Sequence, residues 1–199
     1  IVFEGIEGSG KTTHVKNVSN YLSKNNKKFI KIREPGGDNN SEKIRKLILS
    51  NKSTFNKTTD LLLYLAARSE NIENIIKKNY KKKIILIDRF VDSTLAYQHY
   101  GMGINKNLIN LINKFLLRNI KVNFTFLNLV NEFNLKDRLS KRKNLNRYDK
   151  FKISFYKNVQ NGFIKIANKN KNKYLIINSD NNIKANKIII IDKIKKIIK

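Results

Sequence analysis

The chain has 199 residues and a formal net charge of +27, with 42 Lys and Arg against 15 Asp and Glu. Its length predicts one domain, residues 1–199, with a substantial core. The absence of cysteine excludes disulfides, thiolate zinc sites and cysteine nucleophiles, and it is compatible with a cytoplasmic protein. We recognise no signal peptide and no apolar run of transmembrane length, so we expect no membrane association.

The positive charge has two interpretations. One is binding to nucleic acid or to an anionic membrane. The other is compositional, because Lys, Asn and Ile, which A/T-rich codons encode, are frequent along the whole chain. The lysines are spread over nearly every predicted helix and are not gathered with aromatic residues in one arm, which favours the compositional interpretation. In either case the field would attract polyanionic nucleotides.

The predicted elements alternate between strands and helices. After a first strand at Ile1–Phe3, strands are predicted over residues 28–33, 83–88, 122–129 and 174–177. Helices are predicted over residues 11–24, 59–80, 93–100, 106–118, 132–141, 151–168 and 183–198, with a further helix beginning near Ser41. This alternation predicts an α/β fold in which a five-stranded parallel sheet has helices on both faces. Ligands of such sheets bind beyond the carboxyl ends of the strands.

The first strand leads into a glycine-rich loop that reads GIEGSGKT over residues 5–12. The pattern G-x-x-x-x-G-K-[ST] between a strand and a helix is typical of a phosphate-binding loop, or P-loop. Lys11 is predicted to reach the β- and γ-phosphates of ATP, and the Thr12 hydroxyl is predicted to bind Mg²⁺. The predicted ATP-binding residues here are Gly5, Gly8, Ser9, Gly10, Lys11, Thr12 and Thr13.

Local features mark three places between the first and third strands. The only proline, Pro35, follows the second strand, and we expect a cis peptide bond before it. Ser41 is predicted to cap the next helix. The segment 61–67 is almost wholly apolar, which predicts a helix buried on more than one side, as in a subunit interface.

Charged side chains follow the second and third strands at the predicted ligand-binding rim. Asp88 ends an apolar strand, where P-loop enzymes place a carboxylate that joins the P-loop hydroxyl at Mg²⁺. Arg33 and Arg89 lie at the same rim and could clamp a phosphate, with surface ion pairing as the alternative.

A polar segment over about residues 142–150 is predicted to form a short lid. Together with the helix before it, this segment carries Arg138, Arg142 and Arg147. A lid that closes over a transferring phosphate excludes water and limits wasteful ATP hydrolysis. A solvated basic loop is the alternative.

Three segments resemble the bacterial thymidylate kinase family: residues 2–13, residues 33–37 (REPGG) and residues 88–98 (DRFVDSTLAYQ). Residues 61–68 and 155–167 are also similar, so the resemblance covers most of the chain in order. It implies a P-loop nucleoside monophosphate kinase-like fold and a homodimer. The implied reaction is transfer of the ATP γ-phosphate to dTMP with Mg²⁺, giving dTDP and ADP for dTTP supply.

The resemblance also implies roles for residues near the acceptor nucleotide. Tyr64 takes the place of the aromatic that stacks on thymine, and Arg68 that of a hydrogen-bond donor to the base edge. Thr94 and Gln98 correspond to further base contacts. Tyr97 would abut the sugar and disfavour a 2′-hydroxyl.

The remaining implied roles concern phosphates. Glu7 would lie near the acceptor sugar and phosphate, which Arg33 and Arg89 would hold. Arg138 and Arg142 would lie near the adenine and phosphates of ATP. Because the P-loop has no arginine of its own, the lid must supply that charge, and Arg147 matches the catalytic arginine of the lid. The predicted catalytic residues are Lys11, Glu7, Arg89 and Arg147.

Some positions depart from the family pattern. The lid reads Asn-Arg-Tyr-Asp over residues 146–149, where the family usually has Asp-Arg-Phe-Glu. Met102 stands where arginine is common, Asp38 replaces a usual threonine, and Leu129 falls where the fourth strand usually ends in aspartate. These changes could lower activity, and none removes a residue with a predicted chemical role.

Two other functions stay open at this point. One is a kinase for another nucleoside monophosphate or for a deoxynucleoside, although Arg33 and Arg89 favour an acceptor that already carries a phosphate. The other, prompted by the charge, is a P-loop nucleic-acid-binding ATPase, against which the lack of a separate basic, aromatic-rich module argues. The segment 183–199 could also lie on a membrane as a basic amphipathic helix, but a packed terminal helix is favoured.

Overall fold

The computed structural model describes residues 1–198, and a sheet of five parallel strands forms its centre. The strands are β1 (Val2–Glu4), β2 (Phe29–Arg33), β3 (Ile84–Asp88), β4 (Thr125–Leu129) and β5 (Tyr174–Asn178). They lie in the order β2-β3-β1-β4-β5, and every neighbouring pair is parallel. The predicted five-stranded parallel sheet is therefore confirmed, although β4 begins later than residue 122.

Helices connect the strands at every crossover. They are α1 (Lys11–Lys24), α2 (Asn39–Leu49), α3 (Lys57–Asn71), α4 (Lys77–Asn79), α5 (Val91–Thr94), α6 (Lys106–Leu117), α7 (Glu132–Ser140), α8 (Ile153–Lys169) and α9 (Ile183–Ile197). A π-helical turn, Ile72–Ile76, joins α3 to α4, and another, Leu95–Gly101, follows α5. The hydrophobic pattern predicted both helical segments but not their π turns, since one extra residue per turn changes the periodicity only locally.

The two faces of the sheet pack against different helices. Phe3 lies in one apolar cluster with Val18 of α1 and Ile190 of α9. The neighbouring Val2 lies on the opposite face with Ile72 of the π-helical turn after α3. Because successive strand residues point to opposite faces, strands covered on both sides read as continuous apolar runs.

The turn after β2 confirms one prediction and corrects another. The peptide bond between Glu34 and Pro35 is cis, as expected. The predicted cap at Ser41 is wrong, because α2 begins at Asn39 and the Asp38 carboxylate accepts from the Asn40 N–H at 2.8 Å. The Ser41 hydroxyl instead accepts from the Gly36 N–H at 2.9 Å. Asp and Ser side chains can both cap a helix, but the Ser41 hydroxyl is engaged in the turn and does not cap α2.

The apolar stretch of α3 is only partly covered within one chain. Leu61 and Leu65 are buried in a cluster that includes Ile109 of α6. On the other side of the helix, Leu62 is 56% exposed, and Leu111 and Phe115 of the adjoining α6 are each 66% exposed. The predicted second covered side is thus open to solvent in the single chain that the structure describes.

The closing helix α9 packs on the sheet, as the sequence favoured. Ile190 and Ile194 are buried in the cluster that also contains α1 residues. Among residues 1–198, none of the helices combines the length and apolar character that crossing a membrane requires. Lys199, the end of the segment considered for membrane binding, lies outside the described residues.

Candidate active site

A cavity of about 910 Å³ opens at the carboxyl ends of the strands. Its walls come from the P-loop, the turn after β2, helix α3, the segment after β3 and the predicted lid. The predicted site residues all line this cavity except Gly5, Ser9, Arg138 and Arg147. A second cavity, of about 650 Å³, lies at the amino ends of the strands and contains none of them. The topology thus brings the scattered sequence motifs to one place.

The P-loop backbone adopts a conformation that requires glycine at its start. Gly5 has φ +140°, and a Cβ there would lie 2.3 Å from the Asn128 carbonyl oxygen. Gly10 also has a positive φ, and α1 begins directly after it at Lys11. The unpaired N–H groups of the first turn of α1 therefore adjoin the cavity, where they can bind phosphate oxygens.

Lys11 lies inside the P-loop. Its Nζ donates to the Ile6 carbonyl oxygen at 2.7 Å and to Ser9 Oγ at 3.3 Å. Burial lowers the pKa of Lys11 to about 8, the neighbouring charge of Arg89 adds to this shift, and nearby carboxylates oppose it. Phosphate groups bound in the loop would stabilise the charged form and return this pKa toward its ordinary value.

The two predicted magnesium ligands meet at the mouth of the P-loop. Thr12 Oγ1 donates to Asp88 Oδ2 at 2.6 Å. A hydroxyl and a carboxylate are oxygen ligands that suit Mg²⁺. Within residues 1–198 no group of three or more His, Asp or Glu side chains forms a metal site. The pair therefore fits a magnesium ion that takes its other ligands from nucleotide phosphates and water, as is usual for this metal.

Arg89, directly after Asp88, ties β3 to the P-loop. Its Nη1 donates to the Gly5 carbonyl oxygen at 2.7 Å, and its Nη2 donates to Glu7 Oε1 at 2.9 Å. Glu7 Oε2 in turn accepts from the Tyr97 hydroxyl, and the Arg89 guanidinium lies 5.1 Å from the Tyr97 ring centre. Three residues predicted around the acceptor thus form one connected network.

Two arginines at the rim occupy different environments. Arg33 has a side chain that is 57% exposed and pairs with Glu42 at 3.2 Å, so the alternative of a surface ion pair is realised in this conformation. Sequence reasoning missed Arg45, which lines the cavity and donates to the Pro35 carbonyl oxygen at 2.5 Å. Burial and the neighbouring Arg33 lower the pKa of Arg45. Arg45 and Leu49, one helical turn apart on α2, both line the cavity, which only the structure shows.

Arg68 is 2% exposed at the inner wall of the cavity. Its Nε donates to Glu34 Oε2 at 2.8 Å, its Nη1 to Asn113 Oδ1 at 2.8 Å and its Nη2 to the Phe90 carbonyl oxygen at 3.0 Å. Three of its five N–H groups are therefore engaged within the protein. Arg68 also lines the cavity, and its contact to the base edge stays a prediction.

Two buried polar side chains of the cavity lack partners in the described chain. They are Thr94, through Oγ1, and Gln98, through Nε2. A buried polar atom without a partner costs about 1–3 kcal/mol, so a partner from water or a bound ligand would stabilise it. Tyr64 lines the same cavity, as expected for an aromatic that stacks on a base.

The predicted lid segment connects α7 to α8. Arg142 lines the cavity and pairs with Asp149. Arg138 lies outside the cavity, where its Nη1 donates to the Gly8 carbonyl oxygen at 2.8 Å and its Nη2 to that of Ser179 at 2.6 Å. Tyr148, to which sequence reasoning gave no role, lines the cavity.

Arg147, which matches the catalytic arginine of the lid, lies outside the cavity in this conformation. Its Nε donates to the Ile48 carbonyl oxygen at 2.6 Å and its Nη2 pairs with Asp60, so its role in catalysis stays a prediction. Asp60 is buried, and a buried carboxylate without a cation is costly. This partner, distant in sequence, explains why the arginine turns away from the cavity.

Comparison with known proteins decides the family. The thymidylate kinase family model matches residues 3–190. The chain is 39% identical to a thymidylate kinase of Sulfurihydrogenibium sp. (strain YO3AOP1), covering 98% of this chain and 96% of that protein. It is 38% identical to one of Thermosipho africanus (strain TCF52B), covering 88% of each. The chain belongs to the thymidylate kinase family.

A solved structure agrees with this family assignment. A crystal structure of a thymidylate kinase from Ehrlichia chaffeensis matches with a TM-score of 0.80 and 33% identity, covering 98% of this chain and 96% of that chain. The predicted P-loop nucleoside monophosphate kinase-like fold is confirmed.

One buried carboxylate in this thymidylate kinase fold lies beneath the P-loop. Glu4, at the end of β1, accepts from the Phe90 N–H at 2.8 Å and the Ser93 N–H at 3.2 Å. Burial raises the pKa of Glu4 to about 7, and the nearby Asp92 carboxylate adds to the shift. Glu4 therefore joins β1 to the segment that carries Arg89. Because Glu4 is buried, its charged form lowers the stability of the fold.

Glu4→Gln is expected to remove a pH dependence of stability. Because the pKa of Glu4 in the folded chain lies above its ordinary value of 4.5, the folded chain retains a proton that the unfolded chain releases between these values. Stability therefore falls as pH rises through this window, by about 2–3 kcal/mol relative to the variant. Urea unfolding at pH 5 and 7.5 measures this, with the exposed Glu73→Gln as control. Parallel pH profiles of wild type and Glu4→Gln would contradict it.

Proposed function

We propose that this chain transfers the γ-phosphate of ATP to dTMP, giving dTDP and ADP for dTTP supply. The observation that carries the proposal is one cavity with two chemically different ends. One end has the P-loop, Lys11 and the Thr12–Asp88 pair. The other has Arg89 beside the aromatic rings of Tyr64 and Tyr97. A triphosphate donor and a monophosphate acceptor can thus meet between them.

The donor end suits the phosphates of ATP. The P-loop N–H groups and Lys11 would hold the β- and γ-phosphates, because each supplies a donor to an anionic oxygen. Thr12 and Asp88 would hold Mg²⁺, which supplies positive charge to the phosphates when bound. Arg138 and Arg142 remain our candidates for contacts to the adenine and phosphates of ATP.

The acceptor end suits a pyrimidine deoxynucleotide. Arg89 and the partly buried Arg45 would hold the acceptor phosphate, with Arg33 at the mouth. Tyr64 would stack on the base, while Thr94 Oγ1 and Gln98 Nε2 supply the unpaired polar atoms at its edge. The Tyr97 hydroxyl, held by Glu7, would leave little room for a 2′-hydroxyl.

Catalysis in this arrangement is positioning and neutralisation of charge. An acceptor phosphate oxygen attacks the γ-phosphorus in line, and the bond to the β-phosphate oxygen breaks, so no covalent enzyme intermediate is needed. Lys11 and Arg89 offset the charge at the two ends, and Glu7 orients Arg89 through their 2.9 Å ion pair. We propose that residues 142–150 act as the lid of a single kinase domain and exclude water during transfer.

Release of ADP by the purified chain tests the proposal, with dTMP, dUMP, dCMP, GMP and thymidine each as acceptor. We expect dTMP to be the best acceptor and thymidine to be inactive, because it lacks the phosphate that Arg89 would bind. Turnover only with thymidine, or best with GMP, would overturn the assignment. ATP hydrolysis that needs DNA or RNA but no acceptor nucleotide would favour the nucleic-acid-binding ATPase.

We also propose a homodimer that forms through the open apolar sides of α3 and α6. Leu62 and Leu111 are more than half exposed there, and a second copy would cover them. We propose a cytoplasmic location, where ATP and dTMP are available, and no specific nucleic-acid partner.

Leu62→Glu combined with Leu111→Glu is expected to convert the dimer to a monomer, because both carboxylates would have to be buried in the interface. Sedimentation velocity at micromolar concentration measures this. Phe133→Glu, on α7, is the matched control, since Phe133 is exposed but lies on another helix. A wild-type chain that is monomeric at these concentrations would contradict the proposal.

A further inference from the structure

A single buried carboxylate holds two successive residues of the lid. Asp60, in the first turn of α3, is 2% exposed. Its Oδ1 pairs with Nη2 of Arg147, and its Oδ2 accepts from the hydroxyl of Tyr148. The contact therefore joins the lid to the helix that carries Tyr64 and Arg68.

Neighbouring contacts fix the lid to the same part of the fold. Arg147 Nε donates to the Ile48 carbonyl oxygen at 2.6 Å, and its guanidinium lies 5.7 Å from the Phe55 ring centre. Asn51 Nδ2 donates to the Leu145 carbonyl oxygen at 2.9 Å. The lid thus rests on the end of α2 and the connection to α3, with Asp60 as the buried charge of this contact.

Tyr148 connects the Asp60 contact to the acceptor end of the cavity. Its ring meets the Tyr64 ring edge-on, at 5.9 Å between centres and an angle of 89°. It also meets the Tyr97 ring at 6.0 Å and 62°. Because Asp60 binds the hydroxyl, it determines where the Tyr148 ring lies against the two aromatic residues proposed to hold the base and sugar.

We propose that Asp60 is a positioning residue that latches the lid to the acceptor pocket. It holds Tyr148 as a wall of that pocket and keeps Arg147 away from the phosphates until the latch opens. The consequences of the latch for catalysis rest on the proposed function, whereas the contact between Asp60 and the lid does not. The contact with Asp60 is made by the Tyr148 hydroxyl, which a phenylalanine at this position would lack.

The latch is tested without nucleotide by limited trypsin digestion of Asp60→Asn. Lys141, Arg142 and Lys143, at the start of the lid, are exposed and offer cleavage sites. We expect their cleavage to be about fivefold faster than in wild type, because a charge-assisted contact that closes the lid is lost. Asp192→Asn is the matched control, since Asp192 pairs with Lys195 at the surface of α9, away from the lid. Equal cleavage rates in the two variants would overturn the latch.

Kinetics separate positioning from a loss of folded protein. In Asp60→Asn and in Tyr148→Phe, we expect KM for dTMP to rise about fivefold and KM for ATP to change less than about twofold. A smaller folded fraction would lower the apparent kcat and move neither KM. Tyr148→Phe keeps the ring, so it remains informative if Asp60→Asn folds poorly. An unchanged KM for dTMP in Tyr148→Phe would overturn the role of the latch in the acceptor pocket. A wild-type chain inactive with dTMP would overturn the proposed function, and digestion would still decide the latch.

Discussion

Lys11→Met is expected to lower kcat about a thousandfold without lowering stability, because one preorganised cation at the transferring phosphate is lost. The ammonium is held at 2.7 Å from the Ile6 carbonyl oxygen, inside the loop that would hold the phosphates. A methionine fills a similar volume without charge. Activity and stability should therefore respond in opposite directions.

The sign of the stability change follows from the pKa of Lys11. Burial lowers this pKa from 10.5 to about 8, so at pH 7 the folded chain keeps a charge that burial disfavours. Removing the charge relieves up to about 3 kcal/mol, offset in part by the lost hydrogen bonds. The gain in stability of Lys11→Met over wild type is fully present below pH 8. It vanishes as pH rises toward 10.5, where Lys11 of wild type loses its proton in both the folded and the unfolded chain.

Steady-state kinetics and urea unfolding of the same preparation measure the two effects. Lys24→Met, at the exposed end of α1, is the matched control, and we expect neither quantity to change appreciably. A Lys11→Met variant that retains more than about a tenth of wild-type kcat would contradict the role of Lys11 in transfer.

Arg68→Met is expected to destabilise the fold by about 3–5 kcal/mol, because it breaks a buried ion pair and leaves the other partner uncompensated. Arg68 and Glu34 are both almost fully buried and lie 2.8 Å apart. The substitution also removes the donors to Asn113 and to the Phe90 carbonyl oxygen. Most of the loss of activity in Arg68→Met would therefore follow from the loss of stability. A lost contact to the base would add to it.

The cost of Arg68→Met should depend on pH. Burial already raises the pKa of Glu34, although Arg68 opposes this, so removal of the arginine raises the pKa further. The variant can then protonate Glu34 at pH 5 but pays for a buried charge at pH 8, where its stability is lower. Urea unfolding at both pH values measures the difference.

Two control variants complete the Arg68 experiment. Arg33→Met removes an exposed arginine whose partner Glu42 is itself partly exposed, and its cost should stay below about 1 kcal/mol. The double variant with Glu34→Gln should recover part of the loss, since it removes the uncompensated carboxylate. An Arg68→Met variant as stable as Arg33→Met would contradict the structural role of this pair.

Much of the fold was predictable because its signals are local. Five apolar strands, each followed by a helical pattern, predicted the parallel sheet, and the strand bounds agree to within a few residues. The segment 5–12 predicted the P-loop because a tight backbone turn needs glycine at fixed positions. Asp88 and Arg89 were predictable because the residue that ends a parallel strand lies at the ligand-binding rim.

Tertiary structure decided which partner each charged side chain takes. Thr12 reaches Asp88, Arg68 reaches Glu34 and Arg147 reaches Asp60, over separations of 76, 34 and 87 residues. An arginine can donate to any carboxylate that the fold brings within reach, and the sequence does not rank these candidates. For that reason the pairing of Arg147 with Asp60 was not predicted. Arg45 was missed because its partner is the Pro35 carbonyl oxygen, which only the folded turn after β2 brings near.

The sequence by itself thus determined the chemistry available at the rim of the sheet, through motifs whose geometry is set within a few residues. Only the tertiary structure decided that the lid rests on α3 through Asp60 and that Tyr148 forms part of the cavity wall. The physical reason is that a buried charge must find a partner wherever the folded chain supplies one.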